Sequence, residues 1–413
     1  MSKETFTISE YGLIGTDDLV EGYNKFTSRK VPAEVFDDLV KFAKMDDGKD
    51  VFTFSGNGKY LQAKSYVGTI QTNSGYHIEI LPKIYGGQDS EESAQKIFLE
   101  LLRILYKLPK SIHRENANFQ NEKIPILEIF ISMFLDEVGY ILKKGLKSDY
   151  IERQDNLHYL KGKLLVKEQI KRNYIHKEKF YVEYDEYTPN RVENRLIKST
   201  LKYLANISSS FENIRLLRMY QEHIYSVEYS QNYEADFRKC KTNTRGMEHY
   251  KTALIWAKIF LKKESFSSFS GETIAFSILY PMEKLFESYM EHRLQMEYQN
   301  HQVQAQNGEE TFVEDDAKNK LFGVRPDFII KEGDDFKLVA DAKWKIIEEN
   351  SSFSQNDFYQ LFAYQSIYKP KEALRLYYPM SNGFKNPKNF TYFDGSKITA
   401  VPINMNDLLN IAY

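Results

Sequence analysis

The sequence predicts an α+β protein in three parts. These are a β-rich N-terminal domain over residues 1–86, a mostly helical middle region with a few strands over 87–264, and a C-terminal domain over 272–413. Three observations carry this reading. Strand-like runs separated by Gly/Asn turns cluster before residue 86. Apolar residues at helical spacing recur through the middle. A Ser/Gly-rich stretch, SFSSFSGE (265–272), then divides the chain, and beyond it a helix, several strands, a helix and a strand follow one another. The length of 413 residues also exceeds what one ordinary core holds.

Taken in order, PAEVFDDLVKFAKM begins with Pro32 at the first position of a helix, where a missing N–H costs nothing. VFTF from Val51, KYLQAKSYVGTIQ from Lys59 and GYHIEILPKIY from Gly75 read as strands of an antiparallel meander, with SGNG (55–58) and TNSG (72–75) as turns. Asp89 and Glu92 are spaced as a capping box before a helix whose stripe is Ile97, Leu101, Leu102 and Leu105, and Pro109 stops it. IPILEIFISMFLDEV from Ile124 predicts a buried helix; Glu128 and Asp136 interrupt it, and it is too short to span a bilayer. Further helices are expected over 190–208 and 244–262. In the last part Met282, Leu285, Phe286, Tyr289 and Met290 share one helical face, Ser354 is placed to cap a helix over 354–369, and EALRLYYP reads as a buried strand.

Composition sets limits. Fifty-six Lys and Arg against 58 Asp and Glu leave a net charge of −2, so any nucleic-acid surface must be local. Cys240 stands alone, which excludes disulfides within the chain and Cys-rich zinc sites and fits a reducing compartment. MSKETFTISEYG has no apolar signal core, and the chain reads as cytoplasmic with no membrane segment. SGNGK (55–59) is not a phosphate loop: Thr53 stands where the first glycine belongs and Tyr60 where Ser or Thr is needed.

The stretch RPDFIIKEGDDFKLVADAKWK (325–345) is unusual. Asp341 and Lys343 close an apolar strand two residues apart and so face the same way. KEGDD turns the chain, which brings Asp327 back beside Asp341. Mg²⁺ binds through one or two carboxylates with phosphate and water, and a nearby ammonium can steady developing charge. The alternative is a solvated strand edge. Asp-x-Lys also occurs at Asp47–Lys49 and Asp316–Lys318, but there no apolar strand supports it. On the next helix, Gln360 and Tyr364 share a face at i, i+4, either to hold phosphate or orient the lysine or simply to pack. Glu287 is a further acid that would reach a metal from the preceding helix, or stand in solvent.

Pro326-Asp327, Asp341-Ala342-Lys343, Gln360 and Tyr364, in the order helix–strands–helix, resemble the PD-(D/E)xK nuclease superfamily, in its branch with a Gln-x-x-x-Tyr helix. ILPKI (80–84), DEYTPNRVENRLIK (185–198) and PMEKLFESY (281–289) narrow the resemblance to the McrC family, over roughly residues 10 to 410. The resemblance implies a C-terminal α/β/α nuclease domain with a mixed sheet and metal-dependent cleavage of double-stranded DNA within a 5-methylcytosine-directed restriction system. It implies Asp327 and Asp341 as ligands of Mg²⁺ or Mn²⁺, with Lys343 as the third essential residue. It also implies a separate partner, an McrB-like AAA+ GTPase that the chain stimulates. An autonomous nuclease for repair or defence, and a catalytically vestigial activator of the motor, remain alternatives. Lys161, Lys163, Lys167, Lys171, Arg172, Lys177 and Lys179 form the best local basic stretch, either for duplex phosphates or as a solvated face. Glu193, Asn194 and Arg195 read as internal caps and pairs, with a partner contact as the alternative.

Overall fold

The structure is a computed structural model that describes residues 4–17, 24–84, 90–108, 124–242, 244, 246–261, 274–305, 310–316, 318–348, 353–372 and 374–410. Asp89, Pro109 and the 265–272 linker lie outside them. Helices and strands are mixed, and the chain forms two compact units. One lies within residues 111–264, and the other joins 3–110 to 265–413. No helix among the described residues is long and apolar enough to cross a membrane.

The two-part unit opens on a four-stranded sheet ordered Thr5–Ser9, His77–Leu81, Tyr66–Thr72, Ile274–Pro281. The first pair is parallel and the other two are antiparallel. The expected meander is therefore only partial. KYLQAKSYVGTIQ breaks after Ala63, and Tyr60–Ala63 pairs in a second small sheet with Leu13–Gly15 and Phe52–Ser55. Strand Ile274–Pro281, from the C-terminal part of the chain, completes the first sheet against Tyr66–Thr72. Gly68 permits the approach: a Cβ there would lie 2.0 Å from the Ile278 carbonyl oxygen. Val35, Leu39 and Phe42, on helix Ala33–Ala43, fill the core over these sheets with Ile8, Ile70 and Ile80. Pro32 precedes that helix as its cap residue rather than standing inside it.

The C-terminal strands build a six-stranded mixed sheet ordered Gln302–Ala305, Phe328–Glu332, Asp335–Ala342, Leu374–Pro379, Lys397–Ile403, Lys388–Thr391. Its centre is parallel and its flanks are antiparallel. Val339 shares a core with Leu361, Tyr364 and Leu376, so helix Gln355–Tyr368 covers that face. Leu338, Ala340 and Ala342 point the other way and are equally buried, and helix Met282–Glu297 packs against the same strand. Ser354 precedes the Gln355 helix as expected but makes no side-chain cap hydrogen bond. Ser90 caps helix Glu91–Leu105, accepting from the Ser93 N–H at 3.1 Å.

The other unit holds helices Ile126–Lys144, Val192–Ile207, Phe211–His223, Tyr233–Lys239 and Lys251–Leu261, with a three-stranded sheet of Asp149–Leu157, Phe180–Thr188 and Lys163–Leu164. Glu128, read in the sequence as an interruption, is its main internal brace. The side chain is 2% exposed and accepts from the Ser208 hydroxyl, the Ser209 and Ser210 N–H groups and the Asn213 amide. It thereby satisfies backbone donors where helix Phe211–His223 begins. Glu128→Ala leaves these donors unpaired and is expected to cost about 2–4 kcal/mol, read as a lower denaturant midpoint. Glu128→Gln is expected to recover part of it.

Candidate active site

Asp327 and Asp341 meet because the hairpin closes through a two-residue turn at Gly333 and Asp334, with Glu332 opposite Asp335 and Phe328 opposite Ala340. Glycine suits that turn because its φ is +65°. Extending the register by one residue sets the two aspartates opposite each other on one face. The Asp327 N–H lies 3.4 Å from Asp341 Oδ1, and Asp327 Oδ2 accepts from the Ala342 N–H at 2.9 Å. Lys343 continues the strand through its N–H to the Tyr377 carbonyl, 2.9 Å, and returns its Nζ to 2.6 Å from Asp341 Oδ2. Two acids and one lysine thus converge at the mouth of a buried sheet.

Electrostatics mark the site as strained. Burial and then the neighbouring Asp341 push the Asp327 carboxyl up to about 8; Glu287 adds to the rise, and the Ala342 N–H and Lys343 oppose it. Burial works against the Lys343 ammonium, yet Asp341 and Asp327 hold its pKa above the ordinary lysine value. Asp341 is fully buried and Lys343 is 15% exposed, so little water screens the group.

Gln360 and Tyr364 reach this cluster from the covering helix. Gln360 Nε2 donates to the Tyr364 hydroxyl at 2.6 Å, and that hydroxyl donates to the Arg325 carbonyl at 3.0 Å and lies 3.5 Å from Asp341 Oδ1. The pair braces the approach to Asp327 and the Asp341 carboxyl, not the lysine. Glu287, on helix Met282–Glu297, sits 3.4 Å from Lys284. Its carboxyl is raised by burial, with Asp341 a smaller cause. It is within electrostatic reach of the aspartates without joining them as a third carboxylate: among the described residues no group of three or more His, Cys, Asp or Glu is arranged to hold a metal ion. The donor set is nonetheless all oxygen, and two crowded carboxylates are a sufficient protein contribution for Mg²⁺. A divalent cation would offset both the burial and the repulsion from Asp341 that lift Asp327, so the residues present fit the ion.

The match to known proteins falls across this site. A family model described as McrBC 5-methylcytosine restriction system component matches residues 61–379. The chain belongs to the McrBC family. All six expected site residues, Glu287, Asp327, Asp341, Lys343, Gln360 and Tyr364, lie inside the McrBC match. Among solved structures, the chain is similar to one in the refined half-complex from the tetradecameric assembly of Thermococcus gammatolerans McrB AAA+ hexamers with bound McrC. The TM-score is 0.69 at 20% identity, over 98% of this chain and 99% of that one. A chain of the cryo-EM Thermococcus gammatolerans McrBC complex aligns with a TM-score of 0.54 at 20% identity, over 70% of this chain and 87% of that one. At this identity the likeness is one of fold. None of the curated proteins compared with the chain matches it.

The candidate site of this McrBC-family chain contains residues that the sequence did not single out. Lys345 Nζ lies 2.8 Å from Asp357 Oδ1, and Tyr378 donates to Asp357 Oδ2 at 2.9 Å. This second Asp–Lys pair fastens the segment after the strand to the next helix and leaves Lys343 as the lysine facing the aspartates. Glu10 accepts the Trp344 indole N–H at 3.0 and 2.9 Å on its two oxygens. Neither contact has a sequence signal, since each joins residues distant in the chain.

Outside this site, the basic stretch is partly spent on internal pairing. Lys161 lies over the Tyr184 ring, Lys163 is 3.9 Å from Glu183 and Arg172 is 2.9 Å from Glu168. Lys167, Lys171 and Lys177 are exposed. Glu193, Asn194 and Arg195 pair internally, with the Lys241 N–H, the Lys147 and Pro189 carbonyls and Asp236 respectively.

Proposed function

We propose that this chain is the DNA-cleaving subunit of a modification-dependent restriction system, a Mg²⁺- or Mn²⁺-dependent endodeoxyribonuclease of the PD-(D/E)xK type. In this reading it works in the cytoplasm on double-stranded DNA, bound to a separate McrB-like AAA+ GTPase that it stimulates. The observation that carries the reading is the convergence of Asp327, Asp341 and Lys343, with Lys343 Nζ 2.6 Å from Asp341. Membership of the McrBC family, and the presence of McrB hexamers in the similar assembly, support the partner.

Asp327 and Asp341 would hold the ion, and Glu287, on the neighbouring helix, would add negative charge nearby without ligating it. A bound ion would supply Lewis acidity toward the phosphate and make the attacking water easier to deprotonate. Lys343 offers a fixed positive charge to the phosphate oxygens, and its low exposure makes that charge count. Tyr364 and Gln360 keep Asp341 and the Arg325–Asp327 segment in place.

The test is a plasmid carrying 5-methylcytosine, incubated with Mg²⁺, GTP and the chain, with or without an McrB-type GTPase. Linear product only with the GTPase, abolished by EDTA, is the expected result. Cutting by the chain alone would replace this reading with an autonomous nuclease. Stimulated GTP hydrolysis without any cutting would replace it with an activator.

A further inference from the structure

Glu10 is an unexpected place for a carboxyl group. It closes strand Thr5–Ser9, is 1% exposed, and burial pushes its pKa up to about 7. A buried acid costs stability that an apolar residue would not. Here the cost comes with a specific arrangement of donors. The Lys83 N–H reaches Oε1 at 2.9 Å, and the Trp344 indole N–H reaches both oxygens. The Glu10 N–H itself is held by the Leu81 carbonyl, so the acceptor rests on the parallel pair of the N-terminal sheet.

Trp344 follows Lys343 directly. Its ring lies 5.3 Å from that of Phe286, one residue before Glu287. Past Ala342 the strand has no ladder partner on the hairpin side, since the Phe328–Glu332 strand pairs only as far as Ala340. Lys343 is then fixed by its own N–H to Tyr377 on one side and by the Trp344 side chain on the next residue. We propose that Glu10 is a positioning residue for the site, holding Lys343 against Asp341 through Trp344. The role in cleavage rests on the nuclease reading above; the mechanical link does not.

Two measurements separate them. The first uses the full chain alone and follows acylation of Lys343 by an amine-reactive ester, read by mass spectrometry. Glu10→Ala and Trp344→Phe are each expected to raise its rate several-fold, with Glu10→Gln, which keeps one acceptor, in between. Trp344→Phe preserves the ring on Phe286 and covers the case in which Glu10→Ala does not fold. An unchanged rate in the folded variants overturns the proposal, whatever the chain's activity. The second is methylated-plasmid cleavage by the complex. Glu10→Ala and Trp344→Phe are expected to lower kcat about 10-fold or more with KM for DNA unchanged, and Glu10→Gln to restore part of kcat. A loss shared equally by kcat and KM, without rescue by Glu10→Gln, overturns the positioning role in favour of general destabilisation. Raised labelling together with no cleavage by wild type keeps the link and removes the nuclease reading.

Discussion

Lys343→Ala is expected to lower DNA cleavage by the assembled complex about 10²–10³-fold, the range for one preorganised charge-stabilising group. Asp341→Asn is expected to do at least as much. Asparagine keeps the volume at a fully buried position, so its effect reports the lost charge and not a cavity. Lys343→Arg is not expected to rescue, because a planar guanidinium does not fit the pocket of a side chain 15% exposed and 2.6 Å from its partner. Lys345→Ala is the control. Its ammonium is paired with Asp357, so cleavage is expected to stay near wild type while the melting temperature falls. Stimulation of GTP hydrolysis should survive all of these substitutions. Gel-based cleavage and a phosphate-release assay on the same preparations check the two halves. Full cutting by both Lys343→Ala and Asp341→Asn would end the catalytic assignment.

Asp327→Asn is expected to stabilise the metal-free protein at pH 8 and to lose that advantage toward pH 4. The sign follows from the proton balance. In the fold this carboxyl keeps its proton up to about 8, against an ordinary value of 3.8. Between those values the native state binds more protons than the unfolded chain, so stability declines as pH rises through the window. The amide removes that decline. Added Mg²⁺ should raise the wild-type melting temperature by several degrees at pH 8 and leave the variant unmoved. Thermal scans in EDTA and in Mg²⁺ at three pH values suffice. A stabilisation independent of pH would mean that packing, not the cost of a charge buried beside Asp341, governs the position.

Local chemistry made the site legible. The apolar strand before Asp341, the turn at Gly333 and the i, i+4 pair Gln360 and Tyr364 are all short-range patterns, and the side chains converge as those patterns require. Glu287 was harder to judge, because i, i+4 acids on a helix look alike whether they face solvent or a site. Glu10 was invisible: its partner lies 334 residues away, and nothing in TFTISEYG separates a buried acceptor from a surface acid. Strand Asp149–Leu157 is mostly exposed and its apolar residues, Tyr150, Ile151 and Leu157, do not alternate with polar ones, so it offers no period to read. In the run KYLQAKSYVGTIQ the only mark of the change of sheets is local: Lys64 and Ser65 stand together as two polar residues and interrupt the alternation, with no Gly or Pro beside them to signal a turn.

The pairing of Tyr66–Thr72 with Ile274–Pro281 bears on how the chain is made. Its two partners lie roughly 200 residues apart. A ribosome adding about 5–20 residues per second takes on the order of 10–40 s to deliver the second after the first. During that interval the Tyr66–Thr72 edge has no native neighbour on that side, while the intervening unit is already free to fold. Chaperone dependence and misassembly during expression should therefore trace in part to this open edge, and slower translation through residues 73–281, which lengthens the interval, should lower the soluble yield.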